Sequence, residues 1–250
     1  MAKTYMLRTC APDGTSYDGF QWPRSGRVTA PDWNPAPECG GGLHGLLIGE
    51  GDGGLLNWDP DAVWIVAEID ADAVVDLDRK IKAPYADVVY YGPRAGALVD
   101  IVSRGADPSR IVGGTVTAGD YGRATAGAYG TATAGDGGTA TAGRRGTATA
   151  GDSGSATAGR YGTATAGEGG SATAGEGGTA TAGRNGSATA GEGGSAMAGR
   201  DGSATAGEGG RIAIAWYDGR RERVVIGYVG EDGIIPNTPY RVQNGRLVPA

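Results

Sequence analysis

Residues 130–137 read Gly-Thr-Ala-Thr-Ala-Gly-Asp-Gly, and this octad occurs with small changes twelve times between residues 114 and 209. Its constant part is Gly-[Thr/Ser]-Ala-Thr-Ala-Gly, and the last two positions vary. Self-similarity at a short fixed period is the signature of a solenoid. In a strand, these alternating residues place hydroxyl side chains on one surface and Ala methyl groups on the other. The octads therefore predict a mainly β fold built around a β-solenoid.

The small size of Ala indicates which surface of the solenoid is inside. A narrow coil has room for methyl groups and little else, so we expect Ala in the core and Thr and Ser outside. At the two ends of the repeat, the Ala phase carries the larger residues Val116, Ile212 and Ile214. Larger inward side chains are what packing onto conventional caps requires. The flanking Gly residues suit tight corners, because Gly tolerates positive φ angles and close backbone approach.

Each coil is predicted to contain two octads, because alternate octads differ at the first strand position. One set carries Thr there: Thr115, Thr131, Thr147, Thr163 and Thr179. The other set is mainly Ser: Ser155, Ser171, Ser187 and Ser203. Coils of 16 residues then form a two-sided solenoid of about six coils, with Thr-x-Thr on one face and mainly Ser-x-Thr on the other. Strands stacked about 4.8 Å apart give it a length of roughly 29 Å.

The N-terminal flank differs from the repeat in composition and is interpreted as an α/β or α+β capping domain. Strand-like runs cover Thr4–Thr9, Ala62–Ile69 and Ala86–Tyr91. A helix is expected over Arg94–Arg104, followed by Gly105-Ala-Asp-Pro as a natural stop.

The C-terminal flank is interpreted as a small β cap. Arg211–Tyr217 and Arg223–Val229 alternate, and Asp218-Gly219 supplies a turn between them, which predicts a β-hairpin. The predicted division of the chain is an N-terminal cap, a solenoid and a C-terminal cap: residues 1–112, 113–209 and 210–250.

Composition and charge exclude several function classes. Of the 250 residues, 50 are Gly and one is His, and the formal net charge is −6. This charge divides as −6, −2 and +2 over residues 1–112, 113–209 and 210–250, so no segment offers the basic surface that nucleic acid needs. A single His leaves no four-ligand zinc site, and we expect neither a metal nor a cofactor.

The N-terminus has no apolar signal-peptide core, and nowhere do 18 apolar residues run together. We therefore expect no membrane span and a cytoplasmic or virion-associated protein. In that setting Cys10 and Cys39 are expected to be reduced thiols rather than a disulfide.

The two octad forms, at residues 130–137 and 154–161, resemble the repeat of bacterial ice nucleation proteins. In that family a Thr-x-Thr octad and a Ser-x-Thr octad, each closed by Ala-Gly, make a 16-residue unit. The resemblance covers roughly 96 residues. It implies a protein that is not an enzyme and that binds ice or ordered water on a regular Thr face: Thr115, Thr117, Thr131, Thr133, Thr147, Thr149, Thr163, Thr165, Thr179 and Thr181. The alternative is that Thr is simply the β-branched residue that suits an exposed strand.

The flanks resemble a different family, the uncharacterised phage and bacterial proteins that enclose such octads. The matching segments are Cys39-Gly-Gly-Gly-Leu-His44 and Asp232-Gly-Ile-Ile-Pro-Asn-Thr-Pro-Tyr240. This resemblance implies the alternative function of a phage or prophage structural or interaction module.

A third hypothesis concerns the Gly-rich loop before His44. It is faintly similar to ADP-ribosyltransferase-like domains, in which an early Arg or His, a His-Gly pair and a later Glu hold a nicotinamide dinucleotide. Here Arg8, Glu50 and Glu68 could converge on that loop. The alternative is a structural His beside Gly.

The variable octad positions carry charge in blocks, which suggests self-association. In one column Arg144 and Arg160 precede Glu176 and Glu192 at 16-residue steps. When a second copy is inverted, its Glu192 and Glu176 face these Arg residues, so an antiparallel homodimer along this edge is predicted. The alternative is that the charges only keep the protein soluble.

Overall fold

The computed structural model describes residues 2–250, with the backbone alone at position 18. The chain forms two compact units, of which the first ends at Val112 and the second begins at Gly113. Each has its own hydrophobic core. The predicted separate cap from residue 210 stays a prediction, since residues 210–250 belong to the second unit.

Within residues 2–112, the strands form one antiparallel sheet in the order β2-β7-β4-β1-β3-β6-β5. The strands are β1 (Lys3–Cys10), β2 (Gly26–Thr29), β3 (Leu43–Leu47), β4 (Val63–Asp70), β5 (Val75–Asp76), β6 (Ile81–Ala83) and β7 (Tyr85–Gly92). Helix α1 (Arg94–Ser103) buries Ala97 and Ile101. Short 3-10 turns cover Tyr17–Gly19, Gly53–Leu55 and Ala71–Ala73. An antiparallel sheet with one helix fits the α+β form of the prediction.

The second unit is a β-solenoid with a single short strand in each octad. These strands are β8 (Thr115–Thr117), β9 (Arg123–Ala126), β10 (Thr131–Ala134), β11 (Thr139–Ala142), β12 (Thr147–Ala150), β13 (Ser155–Ala158), β14 (Thr163–Ala166), β15 (Ser171–Ala174), β16 (Thr179–Ala182), β17 (Ser187–Ala190), β18 (Ser195–Ala198) and β19 (Ser203–Ala206). Even-numbered strands pair in parallel as one sheet, the Thr sheet, and odd-numbered strands as the other, the Ser sheet.

The register confirms that two octads close one coil. Thr131 lies opposite Thr147, and Thr147 lies opposite Thr163, so every residue faces its equivalent 16 positions away. The Ala residues point inward and are at most 6% exposed, and they line the core from Ala124 to Ala206. Thr and Ser point outward, as expected for a coil interior that has room for little more than methyl groups.

The corners depend on Gly for close approach and on backbone hydrogen bonds between coils. A Cβ added at Gly143 would lie 2.8 Å from the backbone nitrogen of Ala128 in the preceding coil, which leaves no room for a side chain. The corner residue Gly137 has a φ of 64°, which favours Gly. Its N–H donates to the Asp152 carbonyl of the next coil at 2.8 Å. The ladder of hydrogen bonds therefore continues through the corners.

The solenoid ends in two hairpins. Strand β20 (Arg211–Tyr217) continues the Thr sheet in parallel, and β21 (Glu222–Tyr228) folds back on it antiparallel. Strands β22 (Tyr240–Gln243) and β23 (Arg246–Pro249) extend the Ser sheet. Ile212 and Ile214 are buried in the core, which confirms the expected larger inward residues at this end. Among residues 2–250, no helix is long and apolar enough to cross a membrane.

Candidate functional site: the threonine face

The outward surface of the Thr sheet carries the ten predicted Thr residues in two straight columns. One column runs through the first strand position and the other through the third. Thr residues within a strand lie about 6.6 Å apart, and neighbouring coils lie about 4.8 Å apart. The columns end at Ser195 and Met197 of β18. The structure therefore brings all ten residues together on one surface.

The hydroxyl groups of this surface are directed to solvent. Among the described residues, no side-chain hydrogen bond involves any of the ten Thr hydroxyls. By contrast, the hydroxyl groups of Ser187 and Ser203 on the Ser sheet lie 3.2 Å apart. Beyond the last Thr-x-Thr strand of the Thr sheet, Arg211 donates to Ser195 at 2.9 Å. The Thr hydroxyls are therefore available for hydrogen bonds with solvent.

The outward surface of the Ser sheet is less uniform. It begins with Arg123 and Thr125, continues with Thr139 and Thr141, and then carries Ser before Thr in each strand. A Ser side chain lacks the methyl group and is less restricted at χ1 than Thr. This surface provides a matched reference for the Thr face, because it has the same backbone spacing and a different side-chain pattern.

The corner that follows the Thr sheet is stabilised by carboxylates. Asp120 accepts a hydrogen bond from the backbone N–H of Asp136 at 3.0 Å, and Asp136 accepts one from Asp152 at 2.9 Å. Asp152 accepts one from Glu168 at 2.8 Å. Each carboxylate therefore binds the next coil, and this stacking satisfies backbone groups at the corner.

The opposite corner carries the predicted dimer edge. Arg160 forms an ion pair with Glu176 of the next coil at 2.5 Å, within one chain. Arg145 lies between Tyr129 and Tyr161, with its guanidinium carbon 5.8 Å from each ring centre. The four predicted edge residues do share this corner, but Arg160 is already paired with Glu176 of its own chain.

In the first unit, the structure brings Arg8 to His44 but holds the predicted carboxylates elsewhere. Arg8 donates to the His44 carbonyl at 3.2 Å and stacks 4.1 Å from the Trp22 ring centre. Glu68 is paired with Lys3 and Glu50 with Arg110, each at 2.7 Å. The pKa of His44 is lowered, first by burial and then by nearby positive charges including Lys80 and Lys82.

Two residues near this loop were missed by reasoning from sequence. Lys82 is fully buried and donates to the carbonyls of Glu38 and Gly40 at 2.8 and 2.9 Å, which ties down the Gly-rich loop. Trp22 is buried against Arg8. Neither residue lies in a recognisable motif. A Lys within a short strand is typically exposed, so the sequence gives no sign that Lys82 is buried.

Comparison with known proteins identifies similarity over part of the chain. The chain is similar to bacterial ice nucleation proteins. It is 37% identical over 107 residues to ice nucleation protein InaU of Pantoea ananas, covering 42% of this chain and 10% of that protein. It is 37% identical over 117 residues to an ice nucleation protein of Pseudomonas syringae pv. syringae, covering 46% and 10%. A Xanthomonas campestris pv. translucens ice nucleation protein is 39% identical over 98 residues, covering 38% and 6%.

The chain spans about a tenth or less of the length of these relatives. No protein-family model matches it, and no solved structure matches it significantly. The coils of 16 residues and the two alternating octad forms are consistent with ice nucleation protein repeats. The flanking regions are therefore interpreted from their own residues.

Proposed function

We propose that the Thr face orders water into an ice-like layer and so binds ice. The observation that carries this proposal is the unbroken register of five Thr-x-Thr strands on one sheet. A surface organises water when its binding groups are held at fixed spacings, because preorganisation avoids the entropy cost of arranging them. Each Thr contributes a hydroxyl group that bonds water and a methyl group that limits where water can sit.

The backbone of the solenoid holds this spacing. Thr hydroxyls restricted at χ1 stand on strands whose hydrogen bonds continue through the corners. Five strands extend about 19 Å along the stack. Because a surface of this size contacts few water molecules, we expect ice binding and nucleation only at strong supercooling.

A droplet-freezing assay, with thermal hysteresis measured in parallel, tests the proposal. The wild-type protein should raise the freezing temperature above that of matched buffer. Thr149→Lys combined with Thr165→Lys should abolish the effect, because two long charged side chains interrupt the array. Thr157→Lys combined with Thr173→Lys places the same changes on the Ser sheet and should retain most of it. Equal loss in both double variants, or no activity in the wild type, contradicts the proposal.

A second candidate is ligand binding by the first unit. It is favoured by three buried polar atoms without a hydrogen-bond partner among the described residues, namely Arg8 Nε, Trp22 Nε1 and His44 Nε2. Unpaired buried polar atoms are uncommon, and a bound molecule is one way to satisfy them. Calorimetric titration with a nicotinamide dinucleotide should release heat that His44→Ala removes. Absence of heat from the wild-type protein would eliminate this candidate.

The antiparallel homodimer along the second corner is also retained as a proposal. It is supported by the order of charge, with Arg144 and Arg160 in earlier coils and Glu176 and Glu192 in later coils. Arg144→Glu combined with Arg160→Glu should halve the sedimenting mass. An unchanged mass in this variant, or a monomeric wild type, would refute that interface.

A further inference from the structure

Strand β21 ends the Thr sheet and leaves one edge open. In the sheet order it has β20 on one side and nothing on the other. Its outward side chains are apolar and exposed: Val224 is 62% exposed, Ile226 57% and Tyr228 51%. An edge strand with an apolar exposed face, no proline and no bulge is a template for pairing with another strand.

The backbone of β21 confirms that the open edge has free hydrogen-bonding groups. The Val229 N–H donates to the Gly210 carbonyl at 2.9 Å, toward β20. The direction of backbone groups alternates along an antiparallel strand, so Val225 also faces β20, while Val224 and Ile226 face the open edge. Among residues 2–250, no further backbone hydrogen bond reaches Val224 or Ile226 on that side. These groups can therefore accept a new strand.

The sequence of β21 is complementary to itself when a second copy runs antiparallel about Val225. Val224 then lies opposite Ile226 of the second copy, and Glu222 opposite Tyr228. Val224 and Ile226 both face the open edge, so each of the two Val224–Ile226 pairs can exchange two backbone hydrogen bonds. The Tyr228 carbonyl already accepts from the Glu231 N–H at 3.1 Å, so the new ladder ends at this position. Arg223 lies opposite Gly227, which leaves room for the longer side chain.

The charges at the two ends of β21 support the same arrangement. Arg220 and Arg221 precede the strand, and Glu231 and Asp232 follow it; all four are exposed. In the register about Val225, Arg220 comes opposite residue 230 of the second copy, beside its Glu231 and Asp232. A parallel arrangement would instead place like charges together. The charge order therefore selects an antiparallel copy of this same chain.

We propose that the chain forms a homodimer through β21, in which the two Thr sheets join edge to edge as one continuous sheet. The twofold axis of such a pair is perpendicular to the sheet, so both Thr faces lie on the same side. This interface is distinct from the corner that carries Arg144 and Arg160. It concerns assembly alone and does not depend on the binding of ice.

Sedimentation velocity of the full chain over a concentration series tests the dimer. In an Arg144→Glu and Arg160→Glu background, which removes the separately proposed corner interface, the chain should still reach twice the mass of one chain. Ile226→Pro should raise the dimer dissociation constant at least about tenfold, because it removes an N–H from the open edge while leaving the bonds to β20 intact. Ile235→Lys alters an exposed apolar residue outside the strand, 57% exposed, and should leave the constant unchanged. A monomer at every concentration in this background, or a dimer that survives Ile226→Pro there, overturns the proposal.

A cross-linking experiment tests the register. In a Cys39→Ser background, Val225→Cys places two thiols across a non-hydrogen-bonded antiparallel pair, which is close enough for a disulfide. Mild oxidation should convert this variant to a covalent dimer, whereas Ile235→Cys should remain monomeric. Non-reducing gel electrophoresis distinguishes the two. Equal cross-linking of the two variants would overturn the proposed pairing.

Discussion

At the scale of single residues, side-chain volume decides stability inside the solenoid. Ala148 is fully buried between the two sheets, while its neighbour Thr149 points outward. Ala148→Val adds two methyl groups to a closely packed interior and should lower the free energy of unfolding by about 1–3 kcal/mol. Thr149→Val introduces the same side chain on the outer surface, where it only exchanges a hydroxyl for a methyl group, and should alter this free energy by less than about 0.5 kcal/mol. Urea unfolding measures both, and equal effects would contradict an Ala core.

The exposed thiol of Cys39 makes a second prediction at this scale. Lys80 lies 3.1 Å from its sulfur and lowers the pKa of the thiol by stabilising the thiolate. At a pH below the ordinary thiol pKa, the wild type therefore contains more thiolate and should react faster with iodoacetamide than Lys80→Met. Burial raises the pKa of Cys10, which should stay unreacted and serves as the internal control. Mass spectrometry across a pH series measures the alkylation rates. Identical rates of Cys39 alkylation in the wild type and Lys80→Met at every pH would disprove the effect of Lys80.

At the scale of elements, each strand pairs with the strand 16 residues away. Deleting two octads and deleting one octad should therefore have different effects on stability. Removal of residues 154–169 takes out one whole coil and leaves every later strand on its own sheet. Removal of residues 154–161 moves every later strand to the opposite sheet, so that β20 is presented to the sheet that β22 and β23 complete. The shorter deletion should therefore be the more destabilising. Thermal unfolding followed by circular dichroism compares them, and a higher midpoint for the shorter deletion would contradict the 16-residue coil.

At the scale of the whole molecule, two compact units with separate cores should unfold in two calorimetric transitions. Ile65 is fully buried in the first core. Ile65→Ala should destabilise that unit by about 2–5 kcal/mol and leave the other transition in place. Ala148→Val should affect only the second transition. A single transition that responds to both variants would show that the units unfold together.

The repeat and its flanks differ in how well sequence patterns describe them. In the octads, the inward Ala, the outward Thr and the coil length all follow from one alternating pattern repeated at a fixed spacing. The hairpin was predicted at Arg223–Val229 and lies at Glu222–Tyr228, one residue earlier. In the first unit the main strands were predicted, but not their order in the sheet, because pairing between distant strands leaves no local signal. The burial of Lys82 was missed for the same reason, since its carbonyl partners lie more than forty residues away.

The amino-acid order alone establishes the coil, because a repeated local pattern imposes the same contacts on every turn and no long-range choice remains. It also establishes the composition of the Thr face, since each position is copied at a regular interval. The folded chain was needed to show that Arg160 pairs with Glu176 in its own chain, that Arg8 and His44 meet without Glu50 or Glu68, and that β21 has an open edge. These features depend on which distant segments become neighbours, and that is decided by packing of the complete chain.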